Sequence, residues 1–304
     1  MFKKDFTNIK KNSYDQLVRK CYLEILGREP DESGFNHYVN QLNTGTISAA
    51  QLPDKLKDSI EYKHEPKNFL QQNPEQNFSK IPILMYHEIS DQNHPLCVSP
   101  EAFRKQMQLL KDQNYEAISL TKLKKIIDNR EDTVEKLIVI TFDDGCSGVY
   151  SNAYSILKNN NFTATIYVVP AWIENNGISF EGQISTYMSW KKLKEISDHG
   201  FDIGSHTFSH KWLVTLENNE LKKELDLGDE SIKDNLGLDV KHFCYPYGSF
   251  NEQIQKMVID RYDTAVSTIK NFSKINGAYS RQWVMRDTSL DDFRKILTYD
   301  STTV

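Results

Sequence analysis

The sequence has no long apolar run. Among its 304 residues, no stretch approaches the roughly 20 consecutive apolar residues that a transmembrane helix needs. The amino-terminal segment MFKKDFTNIKKNSYDQ contains lysines, but the apolar core of a secretory signal does not follow them. These features predict a protein with no integral membrane segment and a cytoplasmic location.

Cysteine is scarce, and neither sign of charge dominates. The four cysteines, Cys21, Cys97, Cys146 and Cys244, are scattered without a CxxC pair, which argues against a zinc ribbon or a secreted disulfide framework. Lys and Arg number 37 against 42 Asp and Glu, a formal charge of -5. No basic field is therefore available to attract nucleic acid or an anionic membrane, and a small or neutral substrate fits better.

The chain divides into two parts of different character. From Tyr14 to about Lys63 apolar residues recur at helical spacing, with Gly27 as a predicted helix stop. The following segment, HEPKNFLQQNPEQNFSK, is polar, contains two prolines and has no periodicity. Residues 1–66 are therefore predicted to form a small all-helical domain, residues 67–80 a linker and residues 81–304 a second domain.

In the second part, short apolar runs alternate with amphipathic stretches. Such alternation predicts βαβ units, a parallel sheet and an α/β fold. The predicted strands are IPILMYH, KLIVITF, ATIYVVP, FDIGSH, HFCYPYG and DTAVST, and helices are predicted between them. Because active sites of closed parallel α/β folds form at the carboxyl ends of the strands, polar residues at those ends are candidate site residues.

Two of these strand ends carry the elements of a metal site. KLIVITF ends in Asp143 and Asp144, and FDIGSH leads into His206 and His210, four residues apart. One carboxylate and two imidazoles make a typical catalytic set of three ligands, with one coordination position left for water. The remaining aspartate can then accept a proton from that water as a general base. Taken alone, an Asp pair at a strand end is more often a helix cap or part of a solvated loop, and a single HxxxH is more often structural than ligating.

TFDDG, SHTFSH and YPYG, in this order, resemble the first three motifs of the polysaccharide deacetylases of carbohydrate esterase family 4, the NodB-homology domain. ILMYHEI resembles the branch that contains the poly-N-acetylglucosamine deacetylases, and the resemblance extends from Ile81 to the carboxyl terminus. It implies an irregular (β/α)7-type barrel and metal-assisted removal of acetyl groups from an N-acetylated glycan or sugar intermediate. The amino-terminal stretch YLEILGREPDESGFNHYVNQLNTGTIS resembles small helical modules of unknown function, which suggests a docking role or a stabilising appendage.

The resemblance assigns roles to the residues of the three motifs. It implies that Asp143 is the general base and that Asp144, His206 and His210 bind the metal. The backbone N–H of Tyr247, in YPYG, is expected to stabilise the tetrahedral oxyanion. The expected metal is Zn²⁺, although Co²⁺, Ni²⁺ or Fe²⁺ can occupy the same ligands.

Two further roles are implied where this chain departs from the family. The late leucine–histidine motif that supplies the general acid has no counterpart, since the last histidine is His242, so His87 becomes the candidate acid. The arginine that usually precedes the proline of the third motif is replaced by Cys244. Arg286, in RQWVMRD, resembles a late arginine that contacts the catalytic aspartate, and Arg281 and Asp287 lie in the same loose pattern.

Two other functions use the same residues. The first is hydrolysis of a cyclic or other non-sugar amide on the same scaffold. The second is glycan binding without catalysis, by a pseudoenzyme that has lost its acid histidine. The complete set of Asp143, Asp144, His206 and His210 argues against the second, because burying polar residues at strand ends is costly unless they have a use.

Overall fold

The computed structural model describes residues 14–15, 17–19, 21–22, 30, 32–49, 51–59, 81–129, 136–174, 186–268 and 278–297. The chain separates into two compact units, Met1–Pro66 and Lys67–Val304. The predicted linker, 67–80, lies outside the described residues, so the predicted domain boundaries stay predictions. Within the described ranges, no helix has the length and apolar character that a bilayer crossing requires.

Helices are the regular secondary structure among the described residues of the first unit, as predicted. Helix α1 spans Glu32–Asn43 and helix α2 spans Leu52–Asp58, with Pro53 in the first turn of α2, where the missing N–H of proline costs no helical hydrogen bond. A small apolar core holds the unit together. Its buried residues are Val18, Cys21, Tyr22, Val39, Leu42, Ile47, Leu52 and Leu56.

The second unit is built on parallel strands. Among the described residues, all six predicted strands are present, together with five that were not predicted. The strands are β1 (Ile83–Tyr86), β2 (Glu88–Ile89), β3 (Cys97–Val98), β4 (Tyr115–Ala117), β5 (Lys136–Phe142), β6 (Thr165–Val168), β7 (Asp202–Ser205), β8 (His242–Cys244), β9 (Thr264–Ser267), β10 (Ala278–Ser280) and β11 (Gln282–Trp283).

The strands form a nearly closed barrel. In the main sheet the order is β10-β9-β8-β7-β6-β5-β1-β11, β4 pairs with β5, and every pairing is parallel. Strands β10 and β11 lie at opposite ends of this order, yet only Arg281 separates them in the sequence. The two edges of the sheet must therefore approach each other, and Arg281 lies at their junction. This arrangement confirms the predicted barrel.

Helices cover the outside of the barrel. Their apolar faces pack on outward strand residues such as Ile140 and Phe142. The helices are α3 (Pro100–Asp112), α4 (Leu120–Asn129), α5 (Tyr154–Asn159, preceded by a π-helical turn at Val149–Ala153), α6 (Pro170–Glu174), α7 (Trp190–Asp198), α8 (Asn218–Leu236), α9 (Glu252–Ile259) and α10 (Leu290–Leu297). Single 3-10 turns occur at Leu213–Thr215 and Pro246–Gly248.

Alternate residues of the strands fill the barrel interior. Val139 of β5 belongs to one core cluster with Tyr167, Cys244 and Val266 from three other strands, whereas its neighbours in the sequence pack outward. Side chains alternate between the two faces of a strand, so this inward series continues through Thr141 to residue 143. Asp143 is thereby directed into the carboxyl end of the barrel.

Candidate metal centre and active site

The two aspartates lie in a sharp turn after β5. The amide of Asp143 still donates to the carbonyl oxygen of Tyr86 at 3.0 Å, but Asp144 and Gly145 both adopt left-handed conformations, with φ of 69° and 73°. A left-handed conformation is disfavoured for residues with a side chain, although aspartate tolerates it better than most. Both carboxylates are buried at this turn, with Asp143 2% and Asp144 8% exposed.

His206 and His210 face Asp144. Nδ1 of His206 contacts the carbonyl oxygen of Cys244 at 2.8 Å, which fixes the ring so that Nε2 lies 3.6 Å from Oδ1 of Asp144. Nε2 of His210 lies 3.8 Å from the same oxygen. Burial lowers the pKa of His206, so its imidazole is neutral at pH 7, as a metal ligand must be.

Asp144, His206 and His210, which we call the ligand group, fit a bound cation. One ligand atom from each lies within 4.8 Å of the others. The 3.6 and 3.8 Å separations are too long for good hydrogen bonds. Ligand atoms that bind a tetrahedral zinc ion at about 2.1 Å lie about 3.4 Å apart, close to these separations. The structure thus brings together the three residues that the sequence assigned to the metal.

Asp143 makes a buried ion pair with Arg281. Its two carboxylate oxygens each accept from the guanidinium at 2.6 Å, and the arginine is fully buried. Burial alone would raise the pKa of Asp143, but the charge and hydrogen bonds of Arg281 outweigh it and hold that pKa well below its usual range. Asp143 is therefore ionised at neutral pH.

Arg281 also accounts for a second group of potential ligand atoms. Asp143, His206 and Cys244 approach one another as closely as the ligand group does. However, Arg281 already contacts both Asp143 oxygens and lies 3.1 Å from the Cys244 sulfur. Because this guanidinium supplies the positive charge, the cluster is an ion pair rather than a second metal site.

The expected contact between Arg286 and Asp143 is wrong. Arg286 is exposed and donates to the backbone oxygen of Gln92, while Arg281 takes its place beside Asp143. Arg281 lies between β10 and β11, at the junction of the barrel edges, and also bonds to Thr141. The sequence pattern contained both arginines, but only the closure of the barrel distinguishes them.

His87 follows β1 directly and lies beside the end of β5, because Tyr86 pairs with Phe142 in the sheet. Its side chain is partly exposed. Burial lowers the pKa of His87 to about 4, although the charge of Asp143 acts in the opposite direction. The position fits the predicted proton donor, and the imidazole is neutral at pH 7 before substrate binds.

Tyr247 lies in a tight turn next to the ligand group. It is left-handed, with φ of 57°, and its ring lies 4.6 Å from that of His210. Thr268 holds the turn by donating to the carbonyl oxygen of Tyr247 at 3.3 Å. Gly248 is required there, since a Cβ would come within 2.0 Å of the Thr268 hydroxyl.

Aromatic rings border the ligand group. Trp172 lies 5.0 Å from the ring of His210 and 4.9 Å from that of Tyr187, and Trp212 lies 5.3 Å from the ring of Tyr247. Trp172 is nearly buried, with 6% exposed, so it mainly packs against the histidine. Tyr187 and Trp212 are partly exposed and supply apolar surface beside the site.

A nearly closed parallel barrel with a carboxylate and two histidines at the carboxyl ends of its strands has the groups that could hold a metal ion. Comparison with known proteins indicates a hydrolase of the carbohydrate deacetylase class. The polysaccharide deacetylase family matches residues 130–261, and a domain of unknown function, DUF4214, matches residues 1–65. Residues 130–261 of the second unit are thus similar to the polysaccharide deacetylases.

Individual relatives cover more of the second unit. The Bacillus subtilis protein YxkH is 29% identical over 178 residues, which are 59% of this chain and 60% of that protein. The Escherichia coli poly-beta-1,6-N-acetyl-D-glucosamine N-deacetylase is 20% identical over 257 residues, 71% of this chain and 38% of that enzyme. The chain thus spans less than two thirds of the length of these relatives.

A solved structure shares the fold. The Streptococcus pyogenes deacetylase PplD, in complex with acetate, superimposes with a TM-score of 0.64 at 25% identity. The superposition covers 72% of this chain and 98% of PplD.

Proposed function

We propose that this protein is a metal-dependent hydrolase that removes N-acetyl groups from an N-acetylated glycan or sugar intermediate. The observation that carries the proposal is the convergence of Nε2 of His206 and Nε2 of His210 on Oδ1 of Asp144 at 3.6 and 3.8 Å. The match to the E. coli poly-beta-1,6-N-acetyl-D-glucosamine N-deacetylase supports the substrate class, and the acetate complex of PplD supports the product.

Two imidazoles and one carboxylate suit Zn²⁺, and Co²⁺, Ni²⁺ or Fe²⁺ can use the same ligands. A divalent cation held by the ligand group would polarise the amide carbonyl and lower the pKa of a coordinated water. Asp144, His206 and His210 would hold it, while Asp143 is kept out of the coordination sphere by its two bonds to Arg281.

Asp143 is the proposed general base. Arg281 keeps it ionised and fixes its plane, so a free lone pair of the carboxylate can accept the proton of the attacking water. Asp143 directly precedes the proposed ligand Asp144 in the sequence, which supports a position for the base beside the site of attack. The amide carbon is then attacked, and its oxygen takes up negative charge that the backbone N–H of Tyr247 is proposed to stabilise.

His87 is the proposed proton donor to the leaving amine. With a pKa of about 4 it does not carry an extra proton in the resting protein at pH 7. Negative charge that develops on the substrate raises the pKa of a nearby imidazole, so His87 can take up a proton from solvent during attack and pass it to the nitrogen as the C–N bond breaks. Asp143 then returns the proton of the attacking water to solvent.

The test is acetate release from N-acetylated β-1,6-linked glucosamine oligomers. We expect turnover that chelator abolishes and Zn²⁺ restores, and we expect Asp143→Asn to lose activity by about 10²- to 10⁴-fold while it retains metal. Arg286→Met is the matched control and should keep full activity, because Arg286 lies on the surface away from Asp143.

Three outcomes contradict the proposal. Full activity of Asp143→Asn rules out the assigned base. Acetate release only from a non-sugar amide rules out the substrate class, and glycan binding without release rules out catalysis. The cytoplasmic location and a docking role for residues 1–66 stay predictions from the sequence.

A further inference from the structure

The loop that carries His210 has an unfavourable backbone. We call residues 207–211 the histidine loop. Two of its residues are left-handed, Thr207 with φ of 64° and His210 with φ of 60°. This conformation is uncommon for any residue with a side chain and most unfavourable for a β-branched one such as threonine. The loop therefore depends on surrounding contacts to hold its shape.

Glu224 of α8 supplies most of these contacts. Its carboxylate accepts from the backbone N–H of Ser209 at 2.9 Å and from the Ser209 hydroxyl at 2.7 Å. Its backbone oxygen accepts from the N–H of Phe208 at 3.0 Å, and Nζ of Lys211 lies 3.3 Å from the carboxylate. With 5% of its surface exposed, Glu224 is a buried carboxylate whose interactions are directed at this loop.

The side of α8 that carries Glu224 also packs closely against the histidine loop. Gly228 lies one turn after Glu224, so both residues are on one side of α8. A Cβ at Gly228 would come within 3.1 Å of the carbonyl carbon of Thr207 and 3.2 Å of the nitrogen of Phe208. The helix backbone thus abuts the first half of the loop, and the Glu224 side chain holds the second half.

We infer that Glu224 is a positioning residue, which holds the histidine loop in the conformation that directs His210 toward the metal. This inference rests on the proposed metal site. Glu224 fixes Ser209, the residue directly before His210, and the amide of His210 in turn donates to the Thr207 hydroxyl at 3.0 Å. Groups that orient a metal ligand commonly change metal affinity by 10- to 100-fold when they are removed.

The experiment measures the dissociation constant of Zn²⁺ by competition with a chromophoric chelator. Glu224→Ala should bind Zn²⁺ about 10- to 100-fold more weakly than the wild type. Glu224→Gln should recover most of this loss, because its amide can accept from the Ser209 N–H and donate to the Ser209 hydroxyl. Glu230→Ala, an exposed position on the same helix, is the control and should bind like the wild type.

A second measurement separates positioning from general stability. If Glu224 positions His210, the visible absorption spectrum of the Co²⁺-loaded protein should change in Glu224→Ala and return in Glu224→Gln. An unchanged Zn²⁺ dissociation constant in Glu224→Ala, even with a lower melting temperature, overturns the inference. Should Glu224→Ala fail to fold, Glu224→Asp withdraws the carboxylate from both the N–H and the hydroxyl of Ser209, and wild-type affinity in that variant overturns the inference equally.

The outcome for the wild type distinguishes the two proposals. If the wild type binds no stoichiometric Zn²⁺, Co²⁺, Ni²⁺ or Fe²⁺, the proposed function fails and Glu224 has no ligand to position. If the wild type binds metal and Glu224→Ala binds it equally well, the metal site stands and only the role of Glu224 is refuted.

Discussion

Removal of Arg281 should strongly destabilise the protein, because it leaves the buried Asp143 carboxylate without a counter-charge. Arg281 is 0% exposed and Asp143 2%, and two 2.6 Å hydrogen bonds join them. In Arg281→Met an apolar chain of similar length replaces the guanidinium, and the Asp143 carboxylate stays buried without a counter-charge. Breaking one side of such a pair costs about 3–5 kcal/mol in unfolding free energy.

The double variant Arg281→Met/Asp143→Asn isolates the charge. With both charges removed, the buried pair becomes a neutral amide beside an apolar chain, which commonly costs little. We therefore expect the unfolding free energy of the double variant to exceed that of Arg281→Met by at least about 2 kcal/mol, a difference in the range of coupling energies between residues in direct contact. Urea unfolding in chelator, followed by circular dichroism, measures all variants free of metal.

The control for this cycle is Arg286→Met. Arg286 is exposed and bonds to a backbone oxygen, so its substitution should change the unfolding free energy by no more than about 0.5 kcal/mol. Additive effects of the two single substitutions at residues 281 and 143 would refute the reasoning, because they would mean that the buried charges do not interact.

Three further outcomes are expected. Gly148→Ala should lower the unfolding free energy, measured by urea unfolding, by about 1–3 kcal/mol. The added Cβ would lie 1.6 Å from the Glu88 carboxylate and 2.4 Å from the Ile89 carbonyl oxygen. An unfolding free energy equal to that of the wild type would contradict this packing. Burial raises the pKa of Asp229 to about 6, against about 3.9 in an unfolded chain. The folded state therefore binds the proton more tightly than the unfolded state, and the unfolding free energy falls as the pH rises from about 4 to 7. The unfolding free energy of Asp229→Asn relative to that of the wild type should therefore rise by roughly 2–3 kcal/mol between pH 4 and pH 7.5. A difference that stays constant over this pH range would refute the raised pKa of Asp229. Zn²⁺ at about 100 times its dissociation constant should stabilise the wild type by roughly 2.7 kcal/mol in the same unfolding measurement, and an unchanged midpoint would argue against specific binding.

The ligand group could be predicted from the sequence because its geometry follows from simple rules. Buried parallel strands read as continuous apolar runs, and their carboxyl ends meet on one side of the barrel. Asp144, His206 and His210 directly follow such runs or lie four residues beyond, so their convergence required no knowledge of side-chain packing. The larger helices were equally visible, because each carries an apolar stripe at helical spacing.

The partner of Asp143 could not be predicted in the same way. Arg281 is flanked by strands of three and two residues, too short to show any periodicity. Its place beside Asp143 results from closure of the barrel, a tertiary event that unites opposite edges of the sheet. The role of Glu224 was hidden for a related reason: charged residues on a long helix are mostly solvated, and only the contact of α8 with the histidine loop makes this one different.

The most direct test of the metal-centre account is a crystal structure of the zinc-loaded protein with anomalous diffraction at the zinc edge. The account predicts one zinc ion per chain, about 2.0–2.2 Å from a carboxylate oxygen of Asp144 and from Nε2 of both His206 and His210. An anomalous peak elsewhere, or no peak at this position in a fully loaded crystal, would contradict it.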